Sequence, residues 1–272
     1  MRAPITYSLT GDGPPVLLLH GLGGDRRQAL GLLPGDVRAT RIAPDMPGHG
    51  DTELTAEESL TFAEFAALVA DLLDTLREEG KLPIKAMPVV GVSMGAGIAV
   101  ALADDRPDLV ERLILIRPSW LDRCPPPNLA PFPLIARLID AFGPEAGSVA
   151  FRATPEYQSM NETAPAMADS LLGQFTRSHA AERSRVLADI PSSLPLPNRD
   201  AYHRLQVETL VVAAPDDPVH PEQLARTVSN WIPNARLVTV PRKMPDPTEH
   251  QLALQRVVAA GLAPPTPGGG RS

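Results

Sequence analysis

Among the residues that could do chemistry, Ser93 has the most informative neighbours. It stands in Gly91-Val92-Ser93-Met94-Gly95, after the apolar run Met87 to Val92 and before the small, apolar stretch Met94 to Ala103. A serine hydroxyl is a poor nucleophile at neutral pH, so it needs a neighbouring base, a group that orients the base, and N–H donors for the oxyanion that forms. Glycines on both sides permit a strained turn from strand to helix that leaves the hydroxyl exposed. The chemistry expected is nucleophilic acyl transfer at Ser93.

The donors are sought in His20-Gly21-Leu22-Gly23-Gly24, which follows the apolar run Val16 to His20. Its glycines let the backbone lie close to the nucleophile, making the N–H groups of Leu22 and Met94 candidates for an oxyanion hole. A glycine-rich loop can instead hold phosphate, but G-x-G-x-x-G does not occur here and the lysine of a phosphate loop is missing. The oxyanion reading is preferred.

With Asp45-Met46-Pro47-Gly48-His49-Gly50 between them, these two motifs stand in an order and spacing that resemble the α/β-hydrolase superfamily. The resemblance covers Val16 to about Ser119 and Leu210 to about Leu262. It implies that Asp45 and His49 shape a turn beside the site, and that an acid and then a histidine follow the serine. The acid falls in Ala214-Pro215-Asp216-Asp217-Pro218-Val219-His220, where Asp217 matches better than Asp216. Asp216 then caps the next helix or solvates the loop, and His220 is read as a local hydrogen-bonding residue.

The base departs from the family pattern. A Gly-His pair is expected shortly after the last strand, yet Pro241-Arg242-Lys243-Met244-Pro245-Asp246 stands there and the next histidine is His250. Either prolines 245 and 247 reroute the loop so that His250 serves Ser93, which is the reading adopted, or the base is missing. A third option is Lys243, provided burial beside Arg242 lowers its pKa by several units.

The resulting expectation is an α/β-fold hydrolase with Ser93, Asp217 and His250 as catalytic residues. Its substrate would be a small ester, thioester, lactone or cleavable diketone, resolved by water from an acyl-enzyme. No cofactor and no metal is called for. Aspartate-nucleophile relatives are disfavoured because position 93 is serine. The alternatives are a binding protein with a degenerate triad and a non-hydrolytic lyase or cyclase. Arg117 and Trp120, at the exit of the strand Leu113 to Ile116, are candidate substrate contacts; Arg117 would hold a carboxylate or pair with an acid of the cap.

The elements that must position these residues follow from hydrophobic patterning. Short runs at Val16 to His20, Arg41 to Pro44, Pro88 to Val92, Leu113 to Ile116, Leu210 to Ala213 and Leu237 to Val240 read as parallel strands buried on both faces. Phe62, Phe65, Ala66, Val69, Leu72, Leu73 and Leu76 recur at helical intervals and predict an amphipathic helix ended near Gly80. The fold expected is a doubly wound, mostly parallel α/β sheet with flanking helices and an inserted helical cap. Residues 1–118 and 207–262 form the core, 119–206 the cap, and 263–272 a disordered tail. Within the cap, Phe132, Phe142, Phe151, Tyr157 and Phe175 form a small core or line a pocket, and Pro191 to Asn198 is a lid, a hinge or a rigid connector.

Composition excludes several classes. The 272 residues are 43% hydrophobic and 21% charged, as in globular proteins, and the net charge of -7 without a basic run argues against nucleic acid. A single cysteine, Cys124, rules out an internal disulfide. The N-terminus lacks the apolar stretch of a signal peptide, and no run is long enough to span a membrane, so a cytoplasmic protein is expected. Its partner is a small acyl substrate, and a homodimer is admitted as an assembly.

Overall fold

The computed structural model describes residues 4–263, so the tail expected at 263–272 lies, apart from Ala263, outside the described residues. Seven strands, β1 (Tyr7–Thr10), β2 (Pro15–Leu19), β3 (Thr40–Pro44), β4 (Met87–Val92), β5 (Val110–Ile116), β6 (Glu208–Ala213) and β7 (Ala235–Thr239), form one sheet in the order β1-β3-β2-β4-β5-β6-β7. All neighbours pair in parallel except β1, which runs antiparallel to β3. The six expected strands are β2 to β7; the edge strand β1 was not expected, since its four residues carry no buried apolar run.

Register brings the site loops together. Leu19 pairs with Gly91, Val92 with Ile116, and Ile116 with Val212. The residues that follow, His20, Ser93 and Arg117, therefore leave the sheet side by side at its carboxyl edge, where open α/β sheets place their ligand crevices.

Ten α-helices are found among the described residues: α1 (Arg26–Leu30), α2 (Phe62–Glu78), α3 (Met94–Asp105), α4 (Pro131–Arg152), α5 (Pro155–Thr163), α6 (Pro165–Leu172), α7 (Arg185–Asp189), α8 (Arg199–Arg204), α9 (Glu222–Trp231) and α10 (Pro247–Leu262). α2 buries the side chains its periodicity predicted and is capped at its start by Thr61, whose Oγ1 accepts from Glu64 N at 3.2 Å. α2 and α3 pack on each other so closely that a Cβ on Gly97 would lie 2.4 Å from the Phe62 ring. Burying a side chain such as Phe62 or Phe65 contributes about 1.5–3 kcal/mol, and the strained site rests on this core.

Between β5 and β6 the chain forms α4 to α8 and no strand, as the proline-punctuated sequence predicted. Phe151 contacts both Tyr157 and Phe175, at ring separations of 5.5 and 5.6 Å, so these aromatics form a core, while Phe142 is exposed. The segment at Pro191 is tied down rather than free: Ser193 Oγ accepts from Phe62 N, Cys124 Sγ donates to Pro191 O, and Pro195 and Leu196 are buried. Among the described residues no helix is long and apolar enough to cross a membrane.

Candidate active site

Ser93 sits on the sharp turn from β4 into α3 with φ 54° and ψ −112°, a conformation that costs a non-glycine residue of order 1–3 kcal/mol. The turn is held by Ser93 N donating to Ile116 O at 2.9 Å and by Ala96 N donating back to Ser93 O at 3.0 Å. Both flanking glycines are sterically required. A Cβ on Gly91 would lie 2.1 Å from Gly95 O, and one on Gly95 would lie 2.3 Å from Leu19 O.

The loop after β2 lies against this turn. A Cβ on Gly21 would be 3.4 Å from Ser93 Cβ, and Gly21 N donates to Gln28 Oε1 at 2.8 Å. His20 Nε2 accepts from Met46 N at 3.0 Å, so its proton sits on Nδ1 and is donated to Gly21 O at 2.9 Å. Burial pushes His20 down, consistent with a neutral ring. The N–H groups of Leu22 and Met94 have no partner among the described residues and remain free to donate. Asp45 accepts from Arg26 N, the Arg26 guanidinium and Asp51 N, while His49 Nδ1 meets Pro47 O, so both shape the turn that was expected of them.

The imidazole at Ser93 is not the one expected. His220 Nε2 lies 2.9 Å from Ser93 Oγ, and His220 Nδ1 lies 2.8 Å from Asp217 Oδ2. His250 hydrogen-bonds through Nδ1 to Pro241 O at 2.6 Å, and its amide donates to Asp246 O at the start of α10. This corrects the expected Ser93–His250 pairing. Asp246 caps α10 through Thr248 N and Glu249 N, fixing His250 in the helix's first turn with its ring on the backbone of the preceding loop.

What brings His220 in is the turn Asp217-Pro218-Val219-His220. His220 N donates to Asp217 O at 3.1 Å, and Asp217 Oδ1 accepts from both Val219 N and His220 N at 3.1 Å. Aspartate at the first position and proline at the second are the residues such a turn favours. The sequence reading of His220 as a local hydrogen-bonding residue on this turn is therefore incomplete: its ring bonds Asp217 and also reaches Ser93.

Charge around the imidazole is asymmetric. Burial would raise the Asp217 carboxyl, but hydrogen bonds from His220 and the charges of His220 and Arg117 outweigh it and hold the carboxyl far below the usual aspartate range. For His220 burial dominates and lowers the ring below the ordinary 6.5, despite the bond and charge of Asp217. The ring is therefore neutral near pH 7, with Nε2 available to take a proton.

Arg117 donates to Asp217 Oδ2 at 3.3 Å, a core acid rather than an acid of the cap. Asp216 caps no helix and pairs with Arg242 at 3.2 Å. Trp120 is buried edge-on against Phe62, and its indole N–H has no partner among the described residues. Ser93, Leu22, Trp120, His220 and Lys243 line a cavity of about 110 Å³. Ser119, which no local sequence pattern marks, also reaches the site, its hydroxyl 3.4 Å from that of Ser93.

Comparison with known proteins agrees with this architecture. The chain is 29% identical over 242 residues to a 2-hydroxymuconate semialdehyde hydrolase of Pseudomonas putida, covering 84% of this chain and 79% of that protein. Among solved structures, the putative non-heme bromoperoxidase BpoC of Mycobacterium tuberculosis superposes with TM-score 0.68 at 25% identity, covering 97% of this chain and 98% of that one. A thermophilic esterase of Thermogutta terrifontis shares the fold, with TM-score 0.67 at 23% identity over 95% of this chain and 94% of its own. A sequence profile described as the alpha/beta hydrolase family matches residues 16–255, nearly the whole of the described chain, and the protein belongs to that family.

Proposed function

We propose that the protein is a serine hydrolase in which Ser93 attacks a carbonyl carbon, His220 moves the proton and Asp217 orients the imidazole. The observation that carries this reading is the unbroken relay from Asp217 Oδ2 to His220 Nδ1 at 2.8 Å and from His220 Nε2 to Ser93 Oγ at 2.9 Å. Both distances lie within the range a base needs to accept the hydroxyl proton.

As Ser93 Oγ bonds to the carbonyl carbon, its proton passes to His220 Nε2 and the carbonyl oxygen becomes an oxyanion beside the N–H groups of Leu22 and Met94. Collapse of this adduct expels the leaving group, which takes the proton from His220. Water, deprotonated by the same Nε2, then attacks the acyl-enzyme and releases the acid and free Ser93. Asp217 remains ionised throughout and stabilises the imidazolium.

The substrate class is a small ester, thioester, lactone or cleavable diketone. The small cavity at Ser93 supports a compact acyl group, and the relative named as a 2-hydroxymuconate semialdehyde hydrolase supports a small carbonyl compound as substrate. Labelling with a fluorophosphonate tests the reading: rapid labelling of the folded protein that is lost in Ser93→Ala is expected. No labelling of folded wild-type protein would overturn it.

A further inference from the structure

The cavity at Ser93 adjoins a larger one of about 530 Å³, and Arg117, Met167 and Lys243 line both. The larger cavity lies between the cap segment Thr163 to Met167 and two loops of the core, 214–218 after β6 and 242–244 after β7. A substrate longer than the inner cavity can hold therefore has space to extend into, and it must pass these three side chains.

Three cations and three carboxylates line that space, but Glu222 is paired with Arg226 from outside it, so the pairing leaves one cation over. Each carboxylate that lines the larger cavity is already engaged: Asp216 with Arg242 at 3.2 Å, Asp217 with His220 and Arg117, and Glu222 with Arg226 at 2.7 Å. Arg117 thus shares its charge with Asp217. The Lys243 ammonium, in contrast, has no hydrogen bond or ion pair among the described residues. It is close enough to the relay for its charge to disfavour protonated His220. Its flexible stem lets the ammonium follow an anion over several ångströms.

We infer that the preferred substrate carries a carboxylate that extends from the Ser93 cavity to Lys243, which makes Lys243 a specificity-determining residue. This deepens the acyl-transfer reading and rests on it. A neutral chain in the same place leaves the ammonium unpaired beside a space that the substrate has emptied of water, whereas a carboxylate replaces that water with a charge-assisted hydrogen bond.

The test compares two p-nitrophenyl esters of adipic acid, one with the distal carboxylate free and one with it methylated. Wild-type protein should show kcat/KM about tenfold higher for the free acid, the size of one partly solvated charged hydrogen bond, and salt should weaken the preference. Lys243→Gln should bring the ratio close to one, chiefly through KM for the free acid, and Lys243→Arg should retain it. Lys243 is exposed, so neither variant disturbs the core. A wild-type ratio of one or less, or a preference that survives Lys243→Gln, would overturn the inference while leaving the serine hydrolase reading intact. If neither ester is turned over and fluorophosphonate fails to label Ser93, both fall together.

Discussion

Asp217 and His220 occupy the first and last positions of a single turn, with Asp217 Oδ2 and His220 Nδ1 2.8 Å apart. An acid and an imidazole three residues apart need no long-range folding to find each other. Only the third partner, Ser93, must be delivered by the sheet, and the pairing of β4 with β5 and of β5 with β6 delivers it.

The two histidines separate cleanly by mutation. His220→Ala is expected to lower kcat/KM for a short ester by about 10³-fold or more, as loss of a triad base does. His250→Gln, which removes a ring bonded to Pro241 O, should cost less than about tenfold. Steady-state kinetics on both variants checks this; the reverse ranking would return the base to His250.

The pH profile follows from the direction of the His220 shift. Because the folded value lies below 6.5, the ring stays neutral into mildly acidic solution, and the acid limb of kcat/KM should fall below pH 6.5. Arg117 disfavours the imidazolium, so Arg117→Gln should move the limb to higher pH. A limb that stays in place, or moves down, would contradict the assignment.

Stability should decline on mild acidification. His20, His49, His220 and His250 are all lowered by burial, so below 6.5 the unfolded chain binds protons that the folded chain refuses. By linkage the stabilisation is complete above 6.5 and is lost as pH falls toward the folded values. Thermal unfolding followed from pH 7.5 to pH 5 should show a falling Tm; a flat curve over that window would show that these rings are not buried neutral.

The elbow should tolerate no side chain at its glycines. Gly91→Ala places a Cβ 2.1 Å from Gly95 O, a backbone atom that cannot swing aside. Overpacking of this kind costs about 1–3 kcal/mol or more. Denaturant unfolding measures it, and a loss under about 0.5 kcal/mol would mean the turn relaxes easily.

Asp217→Asn should leave the turn largely formed, because the amide oxygen can still accept from Val219 N and His220 N, yet lower kcat by about 10⁴-fold through the wrong imidazole tautomer. Circular dichroism beside the kinetics distinguishes this from unfolding.

Much of the architecture was legible because it is written in local patterns. β2 to β7 announce themselves as apolar runs, α2 by its repeat of buried side chains, and the elbow by glycines whose missing Cβ atoms the packing requires. β1 was not legible, being a half-exposed strand whose identity depends on its partner β3.

By itself the sequence determined the elbow that carries Ser93, the glycine loop His20 to Gly24 beside it and the turn at Asp217, since each is a short motif whose backbone conformation follows from glycine or proline at fixed positions. Which histidine meets Ser93 was decided only in the tertiary structure, because 127 positions separate Ser93 from His220 and only the parallel register of β4, β5 and β6 sets their loops side by side. The first turn of α10, fixed by its Asp246 cap, commits His250 to the carbonyl of Pro241 instead.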